Sequence, residues 1–242
     1  MNMKLHYPSA FPIIGIALTL LAIENPAKAA IVAITSRPAG PGVDVVDWAP
    51  LGPEFTTPSN PFTISSNLGF TTTVSKTSLG NFERADEGGF GWTGNFSPGD
   101  KLLWTSLTPG PITIDLGVSG FGGGAQIQND FLGPFVATVE AFNATGTSLG
   151  SFNFNGDSTQ AGNGTAIFVG VKSDIANIRK LSFNVTGSSS IAINKVSTLP
   201  QVPEVGTVFF GWGCVIAWGA GRFRRRPAKL SEPNHCTTSI PV

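Results

Sequence analysis

Three acids crowd into one five-residue stretch, Glu83-Arg84-Ala85-Asp86-Glu87, followed by Gly88-Gly89-Phe90-Gly91-Trp92 and then Asp100. Two carboxylates facing each other across a cleft are enough for glycoside hydrolysis, one as acid and the other as base or nucleophile. That is the one catalytic arrangement the composition leaves open. Residues 30–201 contain no His, Cys, Tyr or Met. A Ser-His-Asp triad, a Cys–His pair and a His/Cys zinc site are therefore excluded from this region. Arg84 and Lys101 stand close enough in sequence to pair with these acids. The residues favour a solvated, ion-paired polar loop over a catalytic dyad.

No cofactor is called for by any motif. A hard cation is the one exception worth placing, since calcium is held by carboxylates and backbone carbonyls on loops. Its candidate ligands are Asp86, Glu87 and Asp157, although no Asp-x-Asp-x-Asp loop exists and Gly88-Gly89-Phe90-Gly91 lacks an Asp. Trp48, Trp92 and Trp104 are the tryptophans of this region. Trp104, within Leu102-Leu103-Trp104-Thr105, reads as core. Trp92, between Gly91 and Thr93-Gly94-Asn95, sits in an exposed-looking context; packing is the favoured reading and a ligand contact the alternative.

The elements that must position these residues read as strands. Only 12% of residues are charged, and 30 Gly with 18 Pro punctuate the chain throughout. That composition suits many short strands joined by turns and argues against a helical bundle. Apolar and polar residues alternate in Ile112-Thr113-Ile114-Asp115-Leu116. Phe135, Ala137, Val139 and Ala141 share one strand face, with Thr138 and Glu140 on the other. Asn143-Ala144-Thr145-Gly146 turns the chain into a strand carrying Leu149, Phe152 and Phe154. Leu181, Phe183 and Val185 repeat the pattern, and residues 191–196 close it. Residues 36–111 are less regular and proline-rich, as edge strands and surface loops allow. The stretches GVSGFGGG (117–124) and DSTQAGNG (157–164) read as loops at strand ends. The expectation is an all-β, two-sheet antiparallel β-sandwich of about ten to twelve strands over residues 30–198. With 8 Lys/Arg against 12 Asp/Glu in residues 30–201, the net charge there is 8 − 12 = −4. Such a domain offers no electrostatic footprint for nucleic acid.

The two ends carry addresses. Lys4, an uncharged apolar run over 10–23, and Ala27-Lys28-Ala29 with small residues at −3 and −1 form a secretory signal helix (1–29) cleaved before Ala30. At 1.5 Å per residue the run reaches only about 21 Å, short of a bilayer core of roughly 30 Å. Residues 205–221 form a second uncharged run, ending on Arg222-Phe223-Arg224-Arg225-Arg226. Four arginines against an apolar helix act as a stop-transfer block, held on the cytoplasmic side. The expected order is thus signal peptide (1–29), ectodomain (30–198), linker (199–204), transmembrane helix (205–221), basic cluster (222–226) and disordered tail (227–242). Cys214 and Cys236 would then face different compartments and cannot pair.

Val202-Pro203-Glu204, followed by that helix and the cluster Arg222, Arg224, Arg225 and Arg226, resembles a PEP-CTERM sorting signal. Val205 stands where that family has a second proline, and 16 residues, 227–242, follow the arginines. The resemblance implies a secreted bacterial surface or matrix protein, recognised at its Pro-Glu box by an exosortase-type membrane protease and then released or re-attached. It also implies association with exopolysaccharide. Residues 112–197 are similar to jelly-roll ectodomains carrying such tails, and through them to the galactose-binding-like fold. In carbohydrate modules of that kind, aromatic faces stack on sugar rings, the role implied for Trp92. The expected function is therefore a non-catalytic, envelope-sorted surface protein. Two other classes remain open: an extracellular polysaccharide-acting enzyme with a carboxylate pair, and a plain membrane-anchored protein.

Overall fold

The computed structural model describes residues 29–88, 92, 95–159, 164–188 and 190–201. Within them the regular secondary structure is strand, joined by turns and irregular segments; the one helical element is a 3-10 turn at Ala49–Leu51. No helix among the described residues is long and apolar enough to cross a membrane. Among the described residues thirteen strands form, one more than the upper end of the expectation.

In chain order they are β1 (Ile31–Ile34), β2 (Asp44–Val46), β3 (Phe62–Ser65), β4 (Thr71–Lys76), β5 (Glu83–Asp86) and β6 (Lys101–Trp104). Then come β7 (Ile112–Asn129), β8 (Gly133–Phe142), β9 (Ser148–Ser158), β10 (Ile167–Ser173) and β11 (Ile178–Val185). β12 (Ile191–Ile193) and β13 (Val196–Pro200) end the series, which splits the expected strand 191–196 at Asn194-Lys195. All pairings are antiparallel.

β7 is the seam of the molecule. Its first half, Ile112 to Asp115, lies between β4 and β11. Its second half pairs with β13 over Gly120–Gly124 and with β10 over Gly122–Ile127. One layer therefore runs β3-β4-β7-β11-β8-β9, and the other β2-β13-β7-β10-β1. β12, β6 and β5 extend the second layer from the far end of β7. β8 and β9 pack across the core onto β10, and β1 onto β9. The result is a β-sandwich whose interior is built from the alternating residues read in the sequence. Ala137, Val139, Leu181, Phe183, Ile114 and Val171 are fully buried there.

The segment 117–124 is a correction. It is no loop at a strand end but the middle of β7. Gly117 (φ +74°) and Gly122 (φ +141°) adopt backbone that L side chains rarely take, and there the strand bends from one layer into the other. The glycines of 120–124 also admit close neighbours. A Cβ at Gly120, Gly122, Gly123 or Gly124 would collide with the carbonyl oxygens of Leu199, Val171, Ser197 and Val169 respectively. Likewise Asp157 and Ser158, expected in a loop, belong to β9.

Register divides the sandwich into two ends. Ile31 lies opposite Ser173, Lys172 opposite Gly122, and Ile178 and Pro200 both opposite Gly120. The bend of β7, the 174–177 turn, Ala30 and Gln201 therefore share one end, the base. The Gln201 amide donates to the Ser119 carbonyl at 3.1 Å, which fixes the exit. Asn129 opposite Ile191 and Ile112 opposite Phe183 place both tips of β7 at the other end, with the loops 77–82, 105–111 and 130–132 and residues 186–188.

Candidate functional site

The acidic cluster is a strand. Glu83–Asp86 forms β5 and pairs with β6, with Asp86 directly opposite Lys101. The expected polar loop is thus corrected by a cross-strand charge pair, the kind of contact that stabilises antiparallel neighbours. Asp86 Oδ1 accepts from Lys101 Nζ at 2.8 Å and lies 2.5 Å from Arg84 Nη2. The Lys101 hydrogen bond, with the nearby Arg84 charge, holds the Asp86 carboxyl below the ordinary range despite its partial burial. Glu83 Oε2 accepts from Ser106 Oγ at 3.2 Å.

Asp100 is buried, and its two oxygens take Asn194 Nδ2 at 2.8 Å and Lys195 Nζ at 3.3 Å. Asn194 continues this network, donating to Gln126 Oε1 at 2.6 Å and accepting Arg37 Nη2 at 2.8 Å. Arg37 also reaches the Lys195 carbonyl and Ser197 Oγ, and lies 5.4 Å from the Phe168 ring. Burial lowers the Arg37 pKa, and the Asp100 charge opposes that. The break between β12 and β13 is therefore a buried polar clasp. Asp100 and Asp86 are both committed to bonding of this kind. The hollows at Asp44 and at Asp174 each contain one acidic side chain.

Asp86, Glu87 and Asp157 are not gathered into a calcium cage. Among the described residues no three His, Cys, Asp or Glu side chains come together in a way that could hold an ion. Asp86 is already occupied by two cations, and Asp157 lies in β9 opposite Pro134.

Trp92 is packed, the reading favoured for it over a ligand contact. It is 2% exposed, packed with Ala85, Phe96, Leu102, Ala166 and Ala192. Its ring meets Phe96 at 6.0 Å and Trp104 at 6.4 Å, both edge-on. No face is free to stack on a sugar; neighbouring glycines hid a core residue. Trp48 is fully buried. Trp104, expected in the core, is only partly buried, and its Nε1 donates to Ser190 Oγ at 2.5 Å and to Asp130 Oδ2 at 3.2 Å. Burial pushes the Asp130 carboxyl above its ordinary range, opposed by hydrogen bonds from Ser190 and Trp104.

These bonds hold the loop end in a form that sequence patterning does not announce. Ser190 Oγ also accepts the Leu107 amide at 3.2 Å, and the Ser190 carbonyl accepts the Asp130 amide. Ser106 and Leu107 both have positive φ, +54° and +58°, an uncommon state for bulky residues. Leu107 is 68% exposed and Leu132 62% exposed, with Phe131 beside it. The Trp104–Asp130–Ser190 bonds thus hold apolar tips out at the end away from both Ala30 and Gln201.

Ala29 and Ala30 are described, and the Ala30 amide lies 3.1 Å from Asp174 Oδ1. Ala27, the box Val202, Pro203 and Glu204, the run 205–221 and the arginines Arg222, Arg224, Arg225 and Arg226 lie outside the described residues.

Fold and surface together define an all-β antiparallel sandwich with its acids largely spent on internal bonding. No family model matches the chain. No curated protein matches it either. Among solved structures it is similar to a DUF4465 family protein from Bacteroides caccae, at 9% identity and a TM-score of 0.41, over 68% of this chain and 98% of that one.

Proposed function

We propose that this is a non-catalytic, exported surface or matrix protein, a jelly-roll, galactose-binding-like sandwich presented by its C-terminal tail. The tail acts as a PEP-CTERM-like sorting signal: an exosortase-type protease reads Val202-Pro203-Glu204 while residues 205–221 span the membrane and the arginines stay in the cytoplasm. The presented sandwich contacts exopolysaccharide. The observation that carries this reading is the shared base: Ala30 and Gln201 leave the sandwich at one end. A domain tethered there offers its faces and loop end to the outside. The commitment of Asp86 and Asp100 to internal partners favours this reading over a carboxylate-pair hydrolase.

The test is the mass of the mature chain in a host that makes an exosortase. The expected product lacks residues 1–29 and is cut near Glu204, and Glu204→Gln slows that cut at least about tenfold. Equal processing of the Gln variant would leave only a plain membrane anchor.

A further inference from the structure

We propose that β9 is a dimerisation edge: two copies of this chain pair antiparallel along it, about a two-fold axis through Asn153. Strand β9 is eleven residues long and, among the described residues, pairs with β8 alone. About every second N–H and C=O along it therefore points away from β8 with no strand to meet it. Such edges invite pairing with another chain, and proteins blunt them by shortness, charge or proline. The other edges of this sandwich are blunted. β1, β2 and β3 are four, three and four residues long, and Pro61 directly precedes β3. β5, the edge of the extension, has four residues, of which Glu83, Arg84 and Asp86 are charged. β9 has none of these devices. It contains no Lys, Arg or Pro, and its one charge is Asp157, near its end. Its register with β8 runs unbroken from Gly150 to Ser158.

The residues of β9 select the occupant. Gly150-Ser151-Phe152-Asn153-Phe154-Asn155-Gly156 reads nearly the same in both directions about Asn153. A two-fold contact between identical chains needs that symmetry, because the same patch serves both sides. With Asn153 opposite its own copy, Phe152 of each chain meets Phe154 of the other, Gly150 meets Gly156, and Ser151 meets Asn155. Phe152 and Phe154 are only partly buried on the inner side of β9, and Ser151, Asn153 and Asn155 are exposed on the outer side. An open hollow lined by Thr35, Phe154, Ile167 and Phe168 leaves the flank of Phe154 uncovered. The pairing sets ring against ring and amide against hydroxyl, the cross-strand contacts that stabilise sheets. A one-residue slip would put each Phe opposite a polar residue, and a two-residue slip would put one Phe of each chain opposite a glycine. Asp157 comes to lie about 27 Å from its copy, well beyond the screening length at physiological salt. Ser148 lies towards the base, opposite Phe142, and Ser158 bonds to the Asn129 carbonyl at the loop end. The two bases therefore emerge at opposite ends of the dimer. For chains tethered as read above, and this step alone rests on that reading, the pair joins two facing surfaces and not neighbours in one membrane.

The test uses the full chain in mild detergent. One strand pair is a small interface, so sedimentation should show a dimer forming at micromolar concentration. Asn153→Lys and Asn153→Asp each set like charges against one another on the axis and should weaken that dimer at least about tenfold. The side chain is exposed, so both variants should melt close to wild type. Mixed one to one, the Lys and Asp variants should dimerise again, because the facing charges are then opposite. Cross-linking reads the register. With Cys214→Ser and Cys236→Ser as background, Asn153→Cys should give a disulfide-linked dimer under mild oxidation, since facing Cβ atoms lie about 5 Å apart. Ser151→Cys should not, since its copy lies about 13 Å along the strand. Linkage through Ser151→Cys and not through Asn153→Cys overturns the axis at Asn153. A dimer that neither charge weakens is made elsewhere on the molecule and overturns the β9 edge. A wild type that stays monomeric up to about 100 μM overturns the pairing outright. The mass test of sorting stands or falls separately from each of these results.

Discussion

Asp130 accepts the Trp104 indole N–H in a half-buried position, and burial raises its pKa. The folded state therefore holds this proton more tightly than the unfolded chain does. Stability from this group is fully present below the ordinary carboxylate range and is lost as pH climbs through the raised value. Asn keeps an acceptor for Trp104 and cannot ionise. The melting temperature of Asp130→Asn relative to wild type should accordingly rise between pH 4 and pH 7 and then level off; a pH-independent gap would show that burial does not dominate. Trp92 teaches the companion lesson about legibility. Its neighbours Gly91 and Gly94 suggest exposure, yet burial depends on the aromatic partners Phe96 and Trp104, which no local window contains.

At the scale of elements, period-two alternation was readable wherever one face is buried and the other wet. β8 and, from Leu181 onward, β11 follow it, and Asn143 closes its expected turn by accepting the Thr145 and Thr147 amides at 3.0 and 2.8 Å. β7 was readable only for its first five residues. Beyond Leu116 its glycines carry no side-chain pattern, since what they provide is room for the backbones of β10 and β13. β5 was missed because it does not alternate: adjacent Arg84 and Ala85 are both buried, and one of them is a charge paired with an acid. The glycine account makes a paired prediction. Gly122→Ala combines positive φ with a collision against backbone, whereas Gly146→Ala (φ +83°) meets nothing within 4 Å. Chemical denaturation should show a loss of about 3 kcal/mol or more for Gly122→Ala and only about 1 kcal/mol for Gly146→Ala. Equal losses would mean that dihedral strain, and not the close approach of β10, is what the seam requires.

For the whole molecule, the base is where processing and folding meet. The expected signal cleavage falls before Ala30, whose amide nitrogen already lies 3.1 Å from Asp174 Oδ1 while the Asp174 amide donates to the Ala30 carbonyl. Cleavage turns that amide into an ammonium group, so the same contact becomes a charge-assisted bond from the new N-terminus to the 174–177 turn. Among the described residues β1 pairs with β10 alone, as an edge strand, so its first residue is a place where the second layer can fray. The pair is exposed, which limits its worth to about 1 kcal/mol and makes it salt-sensitive. A chain beginning at Ala30 should therefore melt slightly higher than one retaining Ala29, with the gap shrinking in high salt. Asp174→Asn should abolish the gap without altering the retained form much. If the two chains melt alike in low salt, or if the Asn variant keeps the difference, the new terminus is held by β1–β10 pairing alone and processing adds nothing to the fold.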